Sequence, residues 1–430
     1  MKSLLRHLAI TLLEGEAKLV LRKYKPKIVS VTGSVGKTST KDAIFTVIGR
    51  PLVARKSAKS FNSEIGVPLT VLGCENAWSN PILWFNNLVH GLVQIIARVH
   101  YPKWLVLEIA AGKPGDIARI AKWVRSDIVV MTYFGEVPAH VEFFKSVKEL
   151  FEEKEEIIKG LKKTGMLVLN ADDERVLALR EKTKARVITF GFDKSAMFCA
   201  TNAHIVYEKT RPVGTTFKLE YNGNTFPITI RGVLGTQPVY AALAALAVGT
   251  YLKLNIVDSI NALSSHESPP GRMHVVEGIK NITIIDDTYN SSPAAALAAV
   301  LVLGDVKTKA RRIAVLGDML ELGKFAVDEH KKLGIAVGEN ADILFAVGPR
   351  AKYIAEGALE GGMSEKHILE FDDAQKAGKY LEGMLKEGDV ILVKGSQAMR
   401  MERAVEELMQ RPEKAYLTLV RQEPEWVDKM

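Results

Sequence analysis

Lys37 and Thr38 close the run Thr32-Gly33-Ser34-Val35-Gly36-Lys37-Thr38, which follows a β-branched stretch at 28–31 and leads into Ala43, Ile44, Val47 and Ile48 at helical spacing. A strand, a glycine turn and a helix in that order make a cradle for phosphate. Across Gly33, Ser34, Val35 and Gly36 the backbone N–H groups can turn inward toward an anion, and the new helix adds its positive end. Lys37 then reaches the β/γ oxygens and the Thr38 hydroxyl meets Mg²⁺. The usual P-loop carries a glycine where this chain has Val31, so the pattern is a shortened variant.

Further along, Trp104-Leu105-Val106-Leu107-Glu108 reads as a buried strand ending in a carboxylate. Beside a phosphate cradle such an acid is placed to bind the nucleotide's Mg²⁺, which takes oxygen ligands. An exposed strand-end glutamate is the competing reading. His140 by itself reads as a loop histidine, and Lys154, inside Glu152-Glu153-Lys154-Glu155-Glu156, as part of a solvated helix face.

The elements that must position these residues suit a chain of 430 residues divided into two or three domains. With 47% hydrophobic and 25% charged residues it can bury full cores. The net charge of +8 fits an anionic small-molecule substrate or a membrane surface. Its lysines are dispersed rather than blocked, so a nucleic-acid partner is not required. Cys74 and Cys199 lack metal-type spacing and point to free thiols in a reducing cytoplasm.

Residues 1–27 form an amphipathic helix, with Leu4, Leu5, Leu8, Leu12, Leu13, Ala17 and Leu21 along one side and no cleavage site. It either packs on the domain or contacts a membrane surface. Residues 81–99 form a second apolar stretch, too polar to cross a bilayer and read as a docked or interfacial helix. A parallel sheet alternating with helices occupies residues 28–267, with an antiparallel addition in the hairpin 216–230 turning at Asn222-Gly223. After the Pro/Gly break at 264–272, strands at 282–286, 312–317, 342–347 and 389–393 predict a second α/β unit over 268–430. The fold class is therefore α/β, a P-loop ATPase domain followed by a Rossmann-like domain.

Assembled in order, the motifs resemble the Mur ligase family. They are Thr-Gly-Ser-Val-Gly-Lys-Thr from Thr32, Asn-Ser-Glu-Ile-Gly-Val-Pro-Leu-Thr from Asn62, Leu-Glu-Ile-Ala-Ala-Gly from Leu107, His-Val-Glu at His140 and Lys-Glu-Glu-Ile at Lys154. Gly-Arg-Met at Gly271, Asp-Asp-Thr-Tyr-Asn-Ser-Ser-Pro from Asp286, Leu-Gly-Asp-Met from Leu316 and Val-Lys-Gly-Ser from Val393 follow. The resemblance is greatest to members that add D-alanyl-D-alanine to a UDP-N-acetylmuramoyl-tripeptide. It implies a cytoplasmic, monomeric, ADP-forming ligase using ATP and Mg²⁺ in cell-wall precursor synthesis.

By the same resemblance Glu108 and His140 hold Mg²⁺, Lys154 is carbamylated and binds a second Mg²⁺ through the carbamate, and Lys37 serves catalysis with them. Arg272, Asp286, Tyr289 and Asn290 form the nucleotide's other wall. Asn62, Asp318, Lys394 and Ser396 lie near the substrates. Two departures stand against it. The family's Gly-x-His-Asn-x-x-Asn adenine frame reads Gly235-Thr236-Gln237-Pro238-Val239-Tyr240-Ala241 here. Only 27 residues precede the cradle strand, whereas family members carry an N-terminal uridine-nucleotide domain of roughly 80 to 100 residues. The expectation is that the carrier is gripped differently, or is not a uridine nucleotide. A ligase of other acceptor or amine specificity and a non-catalytic ATP-binding regulator are the alternatives.

Overall fold

The computed structural model describes residues 2–57 and 59–427, with side chains described from residue 9 to 426. Two sheets organise the chain. The first contains β1 (Lys27–Thr32), β2 (Ala54–Lys56), β3 (Trp104–Glu108), β4 (Ser126–Met131), β5 (Leu161–Asn170), β6 (Arg186–Gly191), β7 (Phe198–Glu208), β8 (Arg211–Tyr221) and β9 (Asn224–Arg231), in the order β2-β3-β1-β4-β5-β6-β7-β8-β9. Pairing is parallel from β2 to β7 and antiparallel across β7, β8 and β9.

The central strands are buried along nearly their whole length because helices cover both faces. Val29 and Val31 enter the core with α2 (Lys37–Leu52), while the alternate Ile28 enters the opposite core with α1 (Lys2–Tyr24) and α3 (Gly66–Leu72). The helices α4 (Pro81–Ile96), α5 (Asp116–Ala121), α6 (Val147–Lys159) and α7 (Glu174–Ala178) follow, and α8 (Thr236–Tyr251) packs beside α2. From α1, Leu13, Ala17 and Val20 are buried in the domain core. Leu4, Leu5 and Leu8 lie outside the residues whose side chains are described.

The second sheet runs β10-β11-β15-β12-β13-β14, from β10 (His274–Glu277), β11 (Thr283–Asp287), β12 (Arg312–Gly317), β13 (Ile343–Val347), β14 (Ile368–Phe371) and β15 (Val390–Lys394). Only β10 is antiparallel to its neighbour. Asn222 (φ 50°) and Gly223 (φ 76°) make the expected tight hairpin turn, both residues left-handed.

The antiparallel part begins earlier than the sequence predicts, at β7. Register shifts between Thr201 and His204 and between Val206 and Tyr207 break its alternation. Residues 66–72 form α3, with Pro68 tolerated in its first turn. Among the described residues no helix is long and apolar enough to cross a membrane.

Candidate active site

The strand order reverses around β1, whose neighbours β3 and β4 lead to connections on opposite sides, and ligands bind at such a point beyond the strand ends. A cavity of about 650 Å³ lies there, walled by both units of the chain. At its floor Gly33 adopts φ 142°, and an added Cβ would stand 2.0 Å from Thr132 Oγ1, so no larger residue fits. Gly36 is also left-handed, at φ 84°, and opens α2. Ser34 and Val35 both donate their N–H groups to Tyr133 O, at 2.9 and 3.1 Å. Those two N–H groups are therefore engaged, whereas the N–H groups of α2's first turn have no intrahelical acceptor and can meet an anion.

Lys37 Nζ donates to Ser34 O at 3.1 Å. Burial lowers its pKa to about 8, opposed by the charge of Glu108 and assisted by that of Arg272. Glu108 Oε1 accepts from Ser60 Oγ at 2.6 Å, Asn62 Nδ2 at 2.9 Å and Thr38 Oγ1 at 3.2 Å. Its Oε2 is buried without a hydrogen-bond partner, with the buried Lys41 Nζ 3.9 Å away. An orphaned carboxylate oxygen beside the P-loop threonine fits a hard cation, so Thr38 and Glu108 are suited to hold Mg²⁺. Among the described residues no group of three or more His, Cys, Asp or Glu forms a metal cluster. Such an ion would draw its remaining ligands from phosphate and water.

Lys154, read from its neighbours as solvated, is only 1% exposed and donates to Gly33 O at 2.7 Å. Burial and the nearby Lys37 push its pKa well below the usual lysine value. Glu153 explains how α6 aims it. That carboxylate accepts from Gly115 N at 2.8 Å, Ile117 N at 2.7 Å and Ala118 N at 3.1 Å, tying α6 to the start of α5. Glu153→Ala leaves three donors to find water and is expected to lower stability by about 1–3 kcal/mol, read as a fall in melting temperature. An unchanged melting temperature would remove Glu153 from this positioning role.

Arg272 reaches over from the second unit. Its Nη2 donates to Thr38 Oγ1 at 3.2 Å, and its guanidinium lies 4.0 Å from the Tyr289 ring centroid. Asn290 also lines the cavity, and its carbonyl and Asp287 Oδ2 receive Lys394 Nζ at 2.8 and 2.6 Å. Asp286 does not join them. Strand alternation turns it into the core, where it accepts from Thr288 N and Oγ1, and burial raises its pKa to about 6. The cavity takes Asp287 instead.

Asp318 and Ser396 stand behind the wall. Asp318 Oδ1 accepts from Arg350 N and Ala351 N, and Ser396 Oγ from Leu320 N. His140 does line the cavity, but its Nδ1 is 2.5 Å from Glu321 Oε2 of the second unit, and that contact lowers the glutamate's pKa. The structure thus gathers Lys37, Thr38, Asn62, Glu108 and Lys154 around the cradle and places His140 in a bridge between the two units.

Three further residues complete the site, two of them, Lys41 and Arg421, with no sequence signal. Lys41, fully buried, donates to Ser57 O and Lys59 O and so fixes the segment that delivers Ser60 and Asn62. Arg421 donates to Thr288 O at 2.6 Å and Tyr289 O at 3.0 Å, and pairs with the buried Glu402 at 2.5 Å. Gln237 Oε1 would lie 3.4 Å from a Cβ on Gly36, at the point where the adenine frame departs from the expected residues.

Comparison with known proteins agrees with this architecture. Residues 31–249 match the Mur ligase middle domain, and residues 271–397 the Mur ligase glutamate ligase domain. The chain is 31% identical over 410 residues to the UDP-N-acetylmuramoyl-tripeptide--D-alanyl-D-alanine ligase of Bacillus subtilis, covering 94% of this chain and 80% of that protein. It superimposes on the MurF ligase of Thermotoga maritima in complex with ADP with a TM-score of 0.76 at 29% identity, over 94% of this chain and 84% of the other. MurF from Acinetobacter baumannii shares the fold, with a TM-score of 0.75 at 22% identity over 92% and 79% of the two chains. A cradle at the sheet's switch point, a second α/β unit lending an arginine to it and two domain matches over most of the length have one reading: the chain belongs to the Mur ligase family.

Proposed function

We propose that this chain is an ATP-dependent, ADP-forming ligase that joins D-alanyl-D-alanine to the tripeptide of a UDP-N-acetylmuramoyl carrier, in peptidoglycan precursor synthesis. The observation that carries the reading is the orphaned Glu108 oxygen beside Thr38 and Lys37, with Arg272 closing on the same threonine from the other unit. In this reading residues 28–267 bind ATP, residues 268–430 close over it, and the work is done by a single chain in the cytoplasm.

The peptide's terminal carboxylate attacks the γ-phosphorus, forming an acyl C–O–P link as the bond to the β-phosphate oxygen breaks and ADP leaves. The dipeptide's amine then attacks the acyl carbon, phosphate departs, and the amine loses a proton to solvent or phosphate. Lys37 holds the β/γ oxygens, and Arg272 meets the negative charge from the facing wall. Asn62 and Ser60 keep Glu108 in one rotamer. Mg²⁺, bound with ATP by Thr38 and Glu108, supplies neutralisation of the phosphate oxygens. Lys154, as a carbamate, would offer further oxygen ligands, with His140 nearby. Closure excludes water from the acyl phosphate.

The test is incubation with ATP, Mg²⁺, UDP-N-acetylmuramoyl-tripeptide and D-alanyl-D-alanine, followed by product mass and ADP release. One amide-linked product formed with one ADP is expected. ATP hydrolysis without that product would sink this acceptor and amine. The departure at Gln237, Pro238 and Ala241 keeps a second specificity in view, and a panel of other acceptors and amines distinguishes it. A regulator that only binds nucleotide would release no ADP with any of them.

Arg272→Ala should raise the KM for ATP about 10- to 100-fold with little change in melting temperature, because the guanidinium contributes one hydrogen bond and one stacking contact to the closed state. Steady-state kinetics at varied ATP checks this. Of the two readings of residues 1–27, packing on the domain is supported by Leu13, Ala17 and Val20, which are buried; among the residues of α1 whose side chains are described, Leu12 and Leu19 are the exposed large apolar ones.

A further inference from the structure

Helix α4 carries apolar residues on two faces: Trp84, Leu88 and Ile95 pack, partly buried, against the domain core. Its buried positions are Gly91 and Gln94, whereas Ile82, Leu83, Phe85, Val89, Leu92 and Ile96 face outward, Ile82 at 69%, Phe85 at 65% and Ile96 at 75% exposure. Gly91 packs directly on α1, where an added Cβ would stand 2.1 Å from Glu16 Oε2 and would push that side chain aside. Gln94 Nε2 donates inward to Leu72 O at 2.5 Å.

Both ends are held as well. The Asn80 side chain accepts from Ile82 N and Leu83 N, and Lys23 Nζ donates to Gln94 O, Ile95 O and Ala97 O. A helix held at both ends presents a firm, largely apolar outward surface, with Asn86 and His90 exposed among the apolar residues, of a kind that marks a binding face.

Charge identifies the occupant. No acidic residue occurs from Asn76 through Leu107, nor from Ala17 through Lys41. These two segments meet at the C-terminal end of α4, where Lys27 N donates to Lys103 O. Arg22, Lys25, Lys27, Arg98 and Lys103 are all exposed there. We propose that α4 is a peripheral membrane anchor, lying in the interface of an anionic bilayer with its apolar residues at the acyl boundary and this basic end among the headgroups. At 16 residues the helix is too short to span. A second copy suits the face less well, because a two-fold contact would bring two such basic ends into one interface.

The test uses the full chain, sedimented with vesicles of phosphatidylglycerol and phosphatidylcholine in equal parts and, separately, with phosphatidylcholine alone. Binding is expected to be about tenfold or more tighter to the anionic vesicles and to weaken with salt. Ile82→Ser, Phe85→Ser and Ile96→Ser together should weaken it by about tenfold or more while melting temperature and nucleotide binding stay as in the parent. Should the triple variant fail to fold, Phe85→Ser alone is expected to weaken binding severalfold. Arg98→Glu with Lys103→Glu should abolish the preference for the anionic lipid.

Absence of binding to the anionic vesicles would overturn the proposal, as would equal binding to both lipids or undiminished binding by a folded apolar variant. A dimer in solution that the apolar variant converts to monomer, with no vesicle binding, would assign the face to a second copy instead.

Discussion

Lys37→Ala is expected to lower kcat by about 10³-fold, since it removes the side chain that meets the charge building up on the transferred phosphoryl group. The loss should be specific to function. Lys37 is held by Ser34 O and by attraction to Glu108, and burial already drives its pKa down to about 8, so the free protein gains little from keeping the charge there. Lys37→Met, which keeps most of the volume, should therefore melt at or above the parent temperature while matching the alanine variant in inactivity. A variant keeping a tenth or more of the parent rate would remove Lys37 from the mechanism.

The same shift sets a pH dependence. Below about 8 the ammonium is present in the free protein, and above it the ammonium is lost, so ATP affinity should fall as pH rises through that value. Stability moves the other way. Between about 8 and the lysine's ordinary value of 10.5 the unfolded chain binds more protons at this position than the folded one, and this group's contribution to stability rises with pH there. Nucleotide titrations and melting curves from pH 7 to 10 would expose both trends, the first absent from Lys37→Met and the second reduced in it to what the buried Lys41 and Lys154 contribute.

Residues whose meaning is local were legible in the chain. The cradle announces itself because glycine, lysine and threonine at fixed spacing between a strand and a helix have few other uses, and Glu108 follows because strand ends converge on the same crevice. Lys41 was not legible, since a lysine on a helix ordinarily reaches solvent, and only the folded 57–60 segment supplies Ser57 O and Lys59 O to bury it. Arg421 depends in the same way on Glu402 and on two carbonyls more than 100 residues away. Glu153 and Lys154 sit in a run of five charged residues that reads as solvated, although Val147, Leu150, Phe151, Ile157 and Ile158 at helical spacing put position 154 on the apolar face of the helix. The motif at 286–290 marks the right segment, but the choice between adjacent aspartates rests on which face of β11 meets the cavity, a matter of register that one strand cannot reveal.

The second large effect is expected at Lys154, where Lys154→Ala should cost about 10³ in turnover and where the parent enzyme should depend on dissolved CO₂. A lysine adds CO₂ only as the neutral amine: the nitrogen lone pair forms the N–C bond, electrons move onto oxygen, and a proton leaves for solvent. Burial and the adjacent Lys37 favour that neutral form, and the hydrogen bond to Gly33 O needs only an N–H, which a carbamate retains. Carbamylation would also exchange repulsion between two neighbouring lysines for attraction, with new oxygen acceptors beside the cradle.

A ¹³C-bicarbonate carbamate resonance in the parent, absent from Lys154→Ala, is therefore expected, together with reversible loss of activity in CO₂-depleted buffer. Short carboxylic acids should partly restore the alanine variant, since what that variant lacks is an anionic oxygen donor. If Lys154→Ala were inactive while the parent showed neither the resonance nor any response to CO₂, the side chain would act as an amine holding Gly33 O in place.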